Sequence, residues 1–273
     1  MATLFALSLA ALMAIMALLW LLSLPLRNAS IVDIFWGVGF VVVAWLSYVY
    51  AGRNGATPSL LLPLMTTAWG LRLAGYLAWR NLGKGEDYRY RSMRKHIGPR
   101  FWWVSLFSVF ALQGVLIGVV SLPIQAGLLA PAGDGVSWLC GAGIAAWLVG
   151  VGFETVGDLQ LARFKADPAN RGQVMDRGLW RYTRHPNYFG DFMVWWGLYL
   201  VAVSDIDRLL SIGWTAIGPA IMSVLLLRVS GVTLLEKTIT DRRPGYADYI
   251  RRTSAFFPRP PKPAAGTRAT DLG

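Results

Sequence analysis

The stretch that decides the fold is ATLFALSLAALMAIMALLWLLSL, Ala2–Leu24, which runs without a single charged side chain. A run of this kind crosses the hydrocarbon core of a bilayer as one helix, which needs about 20 apolar residues. A cleaved signal peptide is the alternative, but the stretch lacks a basic start and exceeds the usual apolar length of such peptides. We therefore predict a membrane helix that remains in the protein and is broken at Pro25.

Apolar segments of similar character recur along the chain. The 273 residues are 55% hydrophobic and only 15% charged, whereas soluble domains carry about 25% charged residues. The further predicted segments are Ile31–Tyr50, Ser59–Trp79, Phe101–Leu122, Val136–Val156, Phe189–Val203 and Leu209–Leu227. The sequence predicts an all-α integral membrane protein with seven transmembrane helices. Residues 1–257 would form a single polytopic membrane domain with a core at about 136–257, followed by a disordered cytoplasmic tail at 258–273.

The basic residues are distributed unevenly between the connections. Clusters of Lys and Arg follow the third and fifth segments and fill the C-terminal tail, whereas the intervening connections carry only Arg53 and Arg208. Cytoplasmic loops are the ones enriched in Lys and Arg. This alternation places the N-terminus outside and the C-terminus in the cytoplasm. It also explains the formal net charge of +11 without nucleic acid as a partner.

Several familiar sites are disfavoured by the residue inventory. Cys140 is the only cysteine, and His96 and His185 are the only histidines, so neither a disulfide nor a histidine-rich metal site is expected. Gly141–Ala146 matches the G-x-G-x-x-A nucleotide-binding pattern, but it lies within an apolar helix and not after a strand. Helix packing is the better explanation there, as it is for the G-x-x-x-G pair Gly114 and Gly118.

The most informative polar stretch is GLWRYTRHPNYFGD, Gly178–Asp191. Pro186 suits the first turn of a helix, so the sixth membrane helix should begin near His185. Its free amides, together with Arg181 and Arg184, would attract an anion such as phosphate. Asn187 and Asp191 are four residues apart and share a helix face. A carboxylate at this depth in the membrane is a functional candidate. The alternative is that the basic residues bind lipid headgroups and that Asp191 only caps the helix or forms an ion pair.

Other polar residues converge on the same predicted cytoplasmic end. They are Glu154, Asp158, Arg163 and Lys165 on the fifth helix, Arg228 and Glu236 after the seventh, and Tyr246, Tyr249, Arg251 and Arg252 in the tail. Arg228 follows three leucines, so its charge must be stabilised in an apolar segment. An acidic side chain or a ligand phosphate could pair with it, or its side chain could extend to the membrane interface. Attraction to anionic lipids accounts for the basic loop from Arg89 to Arg100.

These motifs resemble a bacterial membrane-protein branch of the steroid 5-alpha-reductase C-terminal domain family, from about Asn28 to Lys262. The matching stretches are RHPNYFGD at 184–191, LEK at 235–237, RRPGY at 242–246, FFP at 256–258, IVDIFWG at 31–37, WGLRL at 69–73 and GEDYRY at 85–90. The resemblance implies a seven-helix reductase that draws NADPH from the cytoplasm into a membrane cavity.

The resemblance also implies site residues. Asn187 would contact the cofactor, and Asp191, where steroid reductases have Glu, would orient the substrate carbonyl. Asp158, Lys165 and Arg228 would bind the cofactor, Tyr182 and Arg251 are further cofactor-binding candidates, and Tyr188 is a catalytic candidate beside Asp191. Tyr76 is the candidate for the substrate-side Tyr. The histidines that follow the Arg of the last helix in steroid reductases are replaced here by Ser230, Gly231 and Val232.

A second resemblance is to isoprenylcysteine carboxyl methyltransferases, which share the Arg-His-Pro core and a downstream Glu. It implies that Arg184, His185, Tyr188 and Glu236 hold S-adenosylmethionine.

The leading hypothesis remains NADPH-dependent reduction of the C=C bond of a lipophilic enone or steroid-like substrate, with Asp191 polarising the carbonyl. The first alternative is a methyltransferase that acts on a lipid or prenylated substrate. The second alternative is a transporter or another non-enzymatic membrane protein. The expected partners are a lipid bilayer and a lipophilic small molecule, and the expected location is the bacterial inner membrane.

Overall fold

The computed structural model describes residues 1–52, 57–130, 137–229 and 245–263, and in this part of the chain the regular structure is helical. The α-helices are α1 (Ala2–Leu26), α2 (Ile31–Tyr50), α3 (Thr57–Asn81), α4 (Tyr88–Ile97), α5 (Phe101–Ser105), α6 (Leu112–Val120), α7 (Leu122–Leu129), α8 (Trp138–Ala166), α9 (Pro186–Ala202), α10 (Ile206–Ile212), α11 (Ile217–Val224) and α12 (Tyr246–Arg252). Short 3₁₀ or π turns join α4 to α5, α5 to α6 and α10 to α11. The prediction of an all-α fold is confirmed for the described residues.

Six helical stretches of the described chain are long and apolar enough to cross a membrane. They are Ala2–Leu26, Ile31–Tyr50, Leu60–Asn81, Tyr88–Val120, Trp138–Ala166 and Ile206–Arg228. The chain is therefore an integral membrane protein. The predicted sixth crossing, α9, has 17 residues and spans about 25 Å at 1.5 Å per residue. The count of seven crossings and their orientation stay predictions.

The fifth predicted segment is longer than expected. The sequence predicts an end near Val156, but α8 continues to Ala166 and carries Arg163 and Lys165 in its last turn. The reason is that the continuation is amphipathic: Phe164, with Leu161 beside it, packs against Met175 and Trp180. The predicted start of the next helix is confirmed, because α9 begins at Pro186.

The chain divides into two compact units. Unit 1 comprises Met1–Gly143 and Leu198–Gly218, and unit 2 comprises Ile144–Gly197 and Pro219–Gly273. In unit 1, α2 and α3 cross where two glycines meet: a Cβ added to Gly37 would lie 2.3 Å from the carbonyl oxygen of Gly70. Phe40 and Trp69 are completely buried beside this crossing, with ring centroids 5.7 Å apart.

The small-residue motifs behave differently from one another. A Cβ added to Gly114 would lie 2.2 Å from Cε of Met13 on α1, and one added to Gly118 would lie 3.7 Å from Cδ1 of Leu9, so the predicted close helix contact is confirmed. A Cβ on Gly141 would meet no atom within 4 Å, and the packing interpretation is wrong for that residue. The physical reason is that Gly141 lies on an exposed part of α8.

A polar network in unit 1 joins the α1–α2 turn to α4. Asp33 accepts hydrogen bonds from Arg89 at 2.7 Å and from the Tyr90 hydroxyl at 2.6 Å. Glu86 accepts from the amide of Ala29 at 2.8 Å and from two nitrogens of Arg94. Burial by itself would raise the pKa of Glu86, but these hydrogen bonds and the charge of Arg94 hold it below its ordinary value. Specific ion pairs therefore engage Arg89 and Arg94, two bases of the loop for which attraction to anionic lipids is a sufficient explanation in the sequence.

Candidate functional site

The candidate site lies where α8 and α9 pack in unit 2, and glycines allow the close approach. A Cβ on Gly190 would lie 2.6 Å from the carbonyl oxygen of Gly150 and 2.7 Å from Cγ of Glu154. One turn further along, a Cβ on Gly157 would lie 3.1 Å from the Pro186 ring. Side chains that flank these glycines are thereby brought together, although they are about 30 positions apart in the sequence.

Acidic and amide side chains border this crossing. Glu154 and Asp158, one helical turn apart on α8, are only 3% and 4% exposed. On α9, Asn187 donates a hydrogen bond from Nδ2 to Oδ1 of Asp158 at 3.4 Å, and the Oδ1 atom of Asp191 is shielded from solvent. Carboxylates inside an apolar helical protein are expensive and are functional candidates by default. We call these four residues the acidic cluster.

Glu154 is the member of the acidic cluster that sequence reasoning did not select as a site residue. Its only signal was the four-residue spacing from Asp158, which places both on one helix face. No group of three His, Cys, Asp or Glu side chains in the described ranges is arranged to hold a metal ion. The carboxylate and carboxamide oxygens of the acidic cluster can accept hydrogen bonds.

Arg184 has a structural task that the sequence did not reveal. Its side chain is buried and donates from Nη1 to the carbonyl oxygens of Ile250, at 3.1 Å, and Thr253. Its amide donates to the carbonyl oxygen of Ser254 at 2.9 Å. These carbonyls belong to the end of α12, whose last carbonyls have no partners within the helix. Arg184 therefore holds α12 in place, and its contact with a cofactor phosphate stays a prediction.

His185 and Tyr188 form a parallel aromatic pair at the start of α9. Their ring centroids are 5.3 Å apart with an interplanar angle of 4°, and His185 is only 5% exposed. The Tyr188 amide donates to the Asn187 side chain at 3.1 Å. The stacking fixes the orientation of the Tyr188 ring on α9. Tyr188 directly follows Asn187, the residue that donates a hydrogen bond to Asp158.

The segment Gly245–Pro263, here called the C-terminal segment, closes over the start of α9. The Tyr249 hydroxyl donates to the Trp180 carbonyl at 2.5 Å, and the Trp180 indole donates to the Gly157 carbonyl at 3.0 Å. Phe256 packs edge-on against Phe189, with centroids 6.2 Å apart. The amides of Arg259 and Lys262 donate to the carbonyls of Tyr182 and Arg252. The chain is thus hydrogen-bonded as far as Lys262, within the segment predicted as a disordered tail.

The other predicted cofactor residues are more peripheral. Lys165, Tyr182, Arg228 and Arg251 are all exposed, and Arg251 pairs with Asp248 at 2.9 Å. Hydrogen bonding from Arg252 lowers the pKa of Asp248, which keeps this surface pair charged. Tyr76 belongs to unit 1, where Arg72 and Arg80 each lie 5.8 Å from its ring centroid. Glu236 lies outside the described residues.

Replacing Arg184 with alanine is expected to release the C-terminal segment. The substitution leaves buried carbonyl oxygens of α12 without their donor, at about 1–3 kcal/mol for each unsatisfied group. Because about 1.4 kcal/mol corresponds to a tenfold change in an equilibrium, trypsin should cut after Arg251 and Arg252 roughly tenfold faster. Limited proteolysis of the protein in detergent, followed by mass spectrometry, measures this rate.

Arg181→Ala is the matched control for that experiment. The Arg181 side chain is exposed, and only its backbone carbonyl faces Thr253, so its loss should leave cleavage at Arg251 and Arg252 unchanged. Equal acceleration in both variants would show that Arg184 does not hold α12.

Comparison with known proteins places the chain among membrane proteins without a described activity. A family model described as "Protein of unknown function (DUF1295)" matches residues 19–253. An uncharacterised protein of the yeast Schizosaccharomyces pombe (strain 972) is 26% identical over 269 residues, which cover 88% of this chain and 76% of that protein. No solved structure matches the chain.

Proposed function

We propose that this chain, which belongs to the DUF1295 family of membrane proteins, is a membrane-embedded, NADPH-dependent reductase of the C=C bond of a lipophilic enone. The contact between Asn187 and Asp158 at 3.4 Å carries this proposal. The resemblance to steroid reductases assigned both residues to the cofactor, and they meet although 29 positions separate them. The link to that enzyme family and the bacterial origin are part of the proposal.

The residues present in unit 2 fit the chemistry of the cofactor. The Asp158 carboxylate accepts hydrogen bonds from hydroxyls, and the Asn187 carboxamide both donates and accepts, as a ribose and a nicotinamide amide require. Exposed bases in the same unit would neutralise the phosphates. These bases include Arg163, Lys165, Arg171, Arg181, Arg228 and Arg251. S-adenosylmethionine carries no phosphate and would leave them without that role.

The chemistry of the step is divided between the cofactor and the protein. When bound, NADPH supplies a hydride to the β carbon of the enone. Asp191, in its protonated form, would donate a hydrogen bond to the substrate carbonyl and stabilise the negative charge that develops there. Its proton would pass to the carbonyl oxygen, the resulting enol would tautomerise to the saturated ketone, and Asp191 would be reprotonated from bulk water. Tyr188, which follows Asn187 in the chain, would border the same ligand. The apolar surroundings of α8 and α9 limit access of water to the reacting carbonyl.

Cofactor binding by the purified, full-length protein tests the proposal. We expect NADPH, and not S-adenosylmethionine, to bind in isothermal titration in detergent. Asn187→Ala should weaken NADPH binding about tenfold, as the loss of about 1.4 kcal/mol of hydrogen bonding implies. Arg228→Ala should weaken it as well if that guanidinium contacts a phosphate.

The control for cofactor binding is Gln173→Ala, which removes an exposed amide side chain from the same unit. Its NADPH affinity should equal that of the wild type. Binding of S-adenosylmethionine alone would overturn the reductase proposal in favour of a methyltransferase. If neither compound binds, the reductase proposal is also overturned, and a transporter or other non-enzymatic role becomes the favoured hypothesis.

A further inference from the structure

Unit 1 contains a cavity that the proposed reaction does not use. Its volume is about 490 Å³, and it lies between the end of α1 and the start of α5. Its lining includes Leu24, Arg27, Arg94, Phe101, Trp102 and Ser105. Two arginines and an apolar aromatic surface therefore line the same space. This combination suits a ligand with an anionic head and an apolar chain.

Arg27 supplies the first positive charge and is held in an unusual backbone conformation. Its φ angle is 48°, and in the described ranges no other non-glycine residue has a positive φ. It ends α1 with its amide directed to the Leu24 carbonyl at 3.2 Å, a position that normally favours glycine. The side chain is exposed, and within the described chain no carboxylate forms an ion pair with it. Such backbone strain at an arginine is typical of a functional position.

Arg94 supplies the second charge in a fixed orientation. Glu86 accepts hydrogen bonds from Nε at 3.0 Å and from Nη2 at 2.8 Å, and the guanidinium carbon lies 4.5 Å from the centroid of the Phe101 ring. A guanidinium has five N–H donors, so this arrangement leaves the Nη1 hydrogens for another acceptor. Arg94 is therefore a preorganised donor on the wall of the cavity, and its rotamer needs no rearrangement for an anion to bind.

The apolar side of the cavity is characteristic of the membrane interface. Trp102 stacks with Trp20 of α1 at 6.4 Å, and the Trp20 indole donates to the Trp102 carbonyl at 2.7 Å. Trp side chains concentrate at the level of the lipid headgroups. Both helices that form the cavity belong to stretches able to cross a membrane. An acyl chain could thus follow Leu24 and Trp102 while its headgroup reaches the two arginines.

We propose that this cavity binds the phosphate of an anionic membrane phospholipid. The acceptor oxygens of the phosphate would take hydrogen bonds from Arg27 and from Nη1 of Arg94, and the apolar lining would receive the first part of an acyl chain. A free phosphate ion carries the same kind of charge but has no acyl chain. Experiments can therefore distinguish binding of a phospholipid from binding of free phosphate. The proposal is independent of the reductase activity.

Native mass spectrometry of the intact protein with added lipid tests this site. Wild type should retain phosphatidylglycerol at least tenfold better than phosphatidylcholine, and Arg27→Gln should lose most of that preference. Arg100→Gln is the matched control, because Arg100 is exposed on the neighbouring turn and does not line the cavity. Both substitutions remove one positive charge, so an equal effect would show general surface attraction and overturn the proposal.

A second variant separates lipid binding from folding. Arg27→Gly relieves the positive φ, so its thermal stability in lipid-free detergent should equal or exceed that of the wild type, while phosphatidylglycerol binding falls at least tenfold. Retained binding in this variant would overturn the proposal. Stabilisation of the wild type by inorganic phosphate to the same extent as by phosphatidylglycerol would assign the cavity to a free anion and would also overturn it.

Discussion

Asp191→Asn should nearly abolish enone reduction and leave NADPH binding intact. The substitution keeps the size of the side chain but removes the proton that the carboxyl shares with the substrate carbonyl. The Asn carboxamide still donates a hydrogen bond but cannot give up a proton, and loss of such an acid lowers rates by about 100-fold or more. We expect NADPH oxidation in single-turnover experiments with a lipophilic enone to slow by this factor, while the NADPH dissociation constant stays within about threefold, a change of less than 1 kcal/mol.

This split between turnover and binding distinguishes a catalytic role from a structural one. Asp207→Asn is the control, because Asp207 is exposed on α10 and has no part in the proposed site. It should reduce enones at the wild-type rate. If Asp191→Asn loses NADPH binding together with activity, Asp191 belongs to cofactor binding or folding. If it retains full activity, Asp191 has no catalytic role.

Gly37→Ala should have the largest effect on stability in unit 1. The added Cβ would lie 2.3 Å from the carbonyl oxygen of Gly70, and a backbone atom cannot turn aside as a side chain does. The two helices must separate, and buried contacts around Phe40 and Trp69 would be lost. Overpacking of a close-packed interior costs about 1–3 kcal/mol and occasionally more. We expect a loss at the upper end of this range, measured as a lower midpoint of thermal unfolding in detergent.

Gly75→Ala is the matched control for the helix crossing. Gly75 lies on α3, like Gly70, but a Cβ there would meet no atom within 4 Å. Alanine also favours helix more than glycine does, by about 1 kcal/mol, so this variant should be as stable as the wild type or more stable. Equal unfolding midpoints for Gly37→Ala and Gly75→Ala would contradict the observed α2–α3 packing.

The candidate site was predictable in part because helix spacing is a local property. Asn187 and Asp191 could be placed on one face of α9 from their separation alone, and Pro186 marked the start of that helix. The partner of Asn187 required the position of α8, which depends on the glycine contact between Gly150 and Gly190. That contact also brings Glu154 to the site, which the sequence indicated only through its four-residue spacing from Asp158.

Arg184 shows why a motif does not reveal the task of each member. In the sequence it stands beside His185 and Pro186 at the start of a helix, where an arginine suits a phosphate. In the structure its guanidinium binds the carbonyls of Ile250 and Thr253. A charged donor near a helix end can satisfy an external anion or internal carbonyls, and only the position of α12 decides between them.

The amino-acid sequence alone determined that the protein is a helical membrane protein, because apolar length and charge spacing along the chain are sufficient to set those properties. It also placed the start of α9 and the shared face of Asn187 and Asp191, which follow from local helix geometry. The tertiary structure alone decided which face of α8 meets α9, that Arg184 holds α12, and that Arg27 and Arg94 share a cavity. These depend on contacts between residues far apart in the chain, and such contacts form where glycines and aromatic rings allow helices to approach.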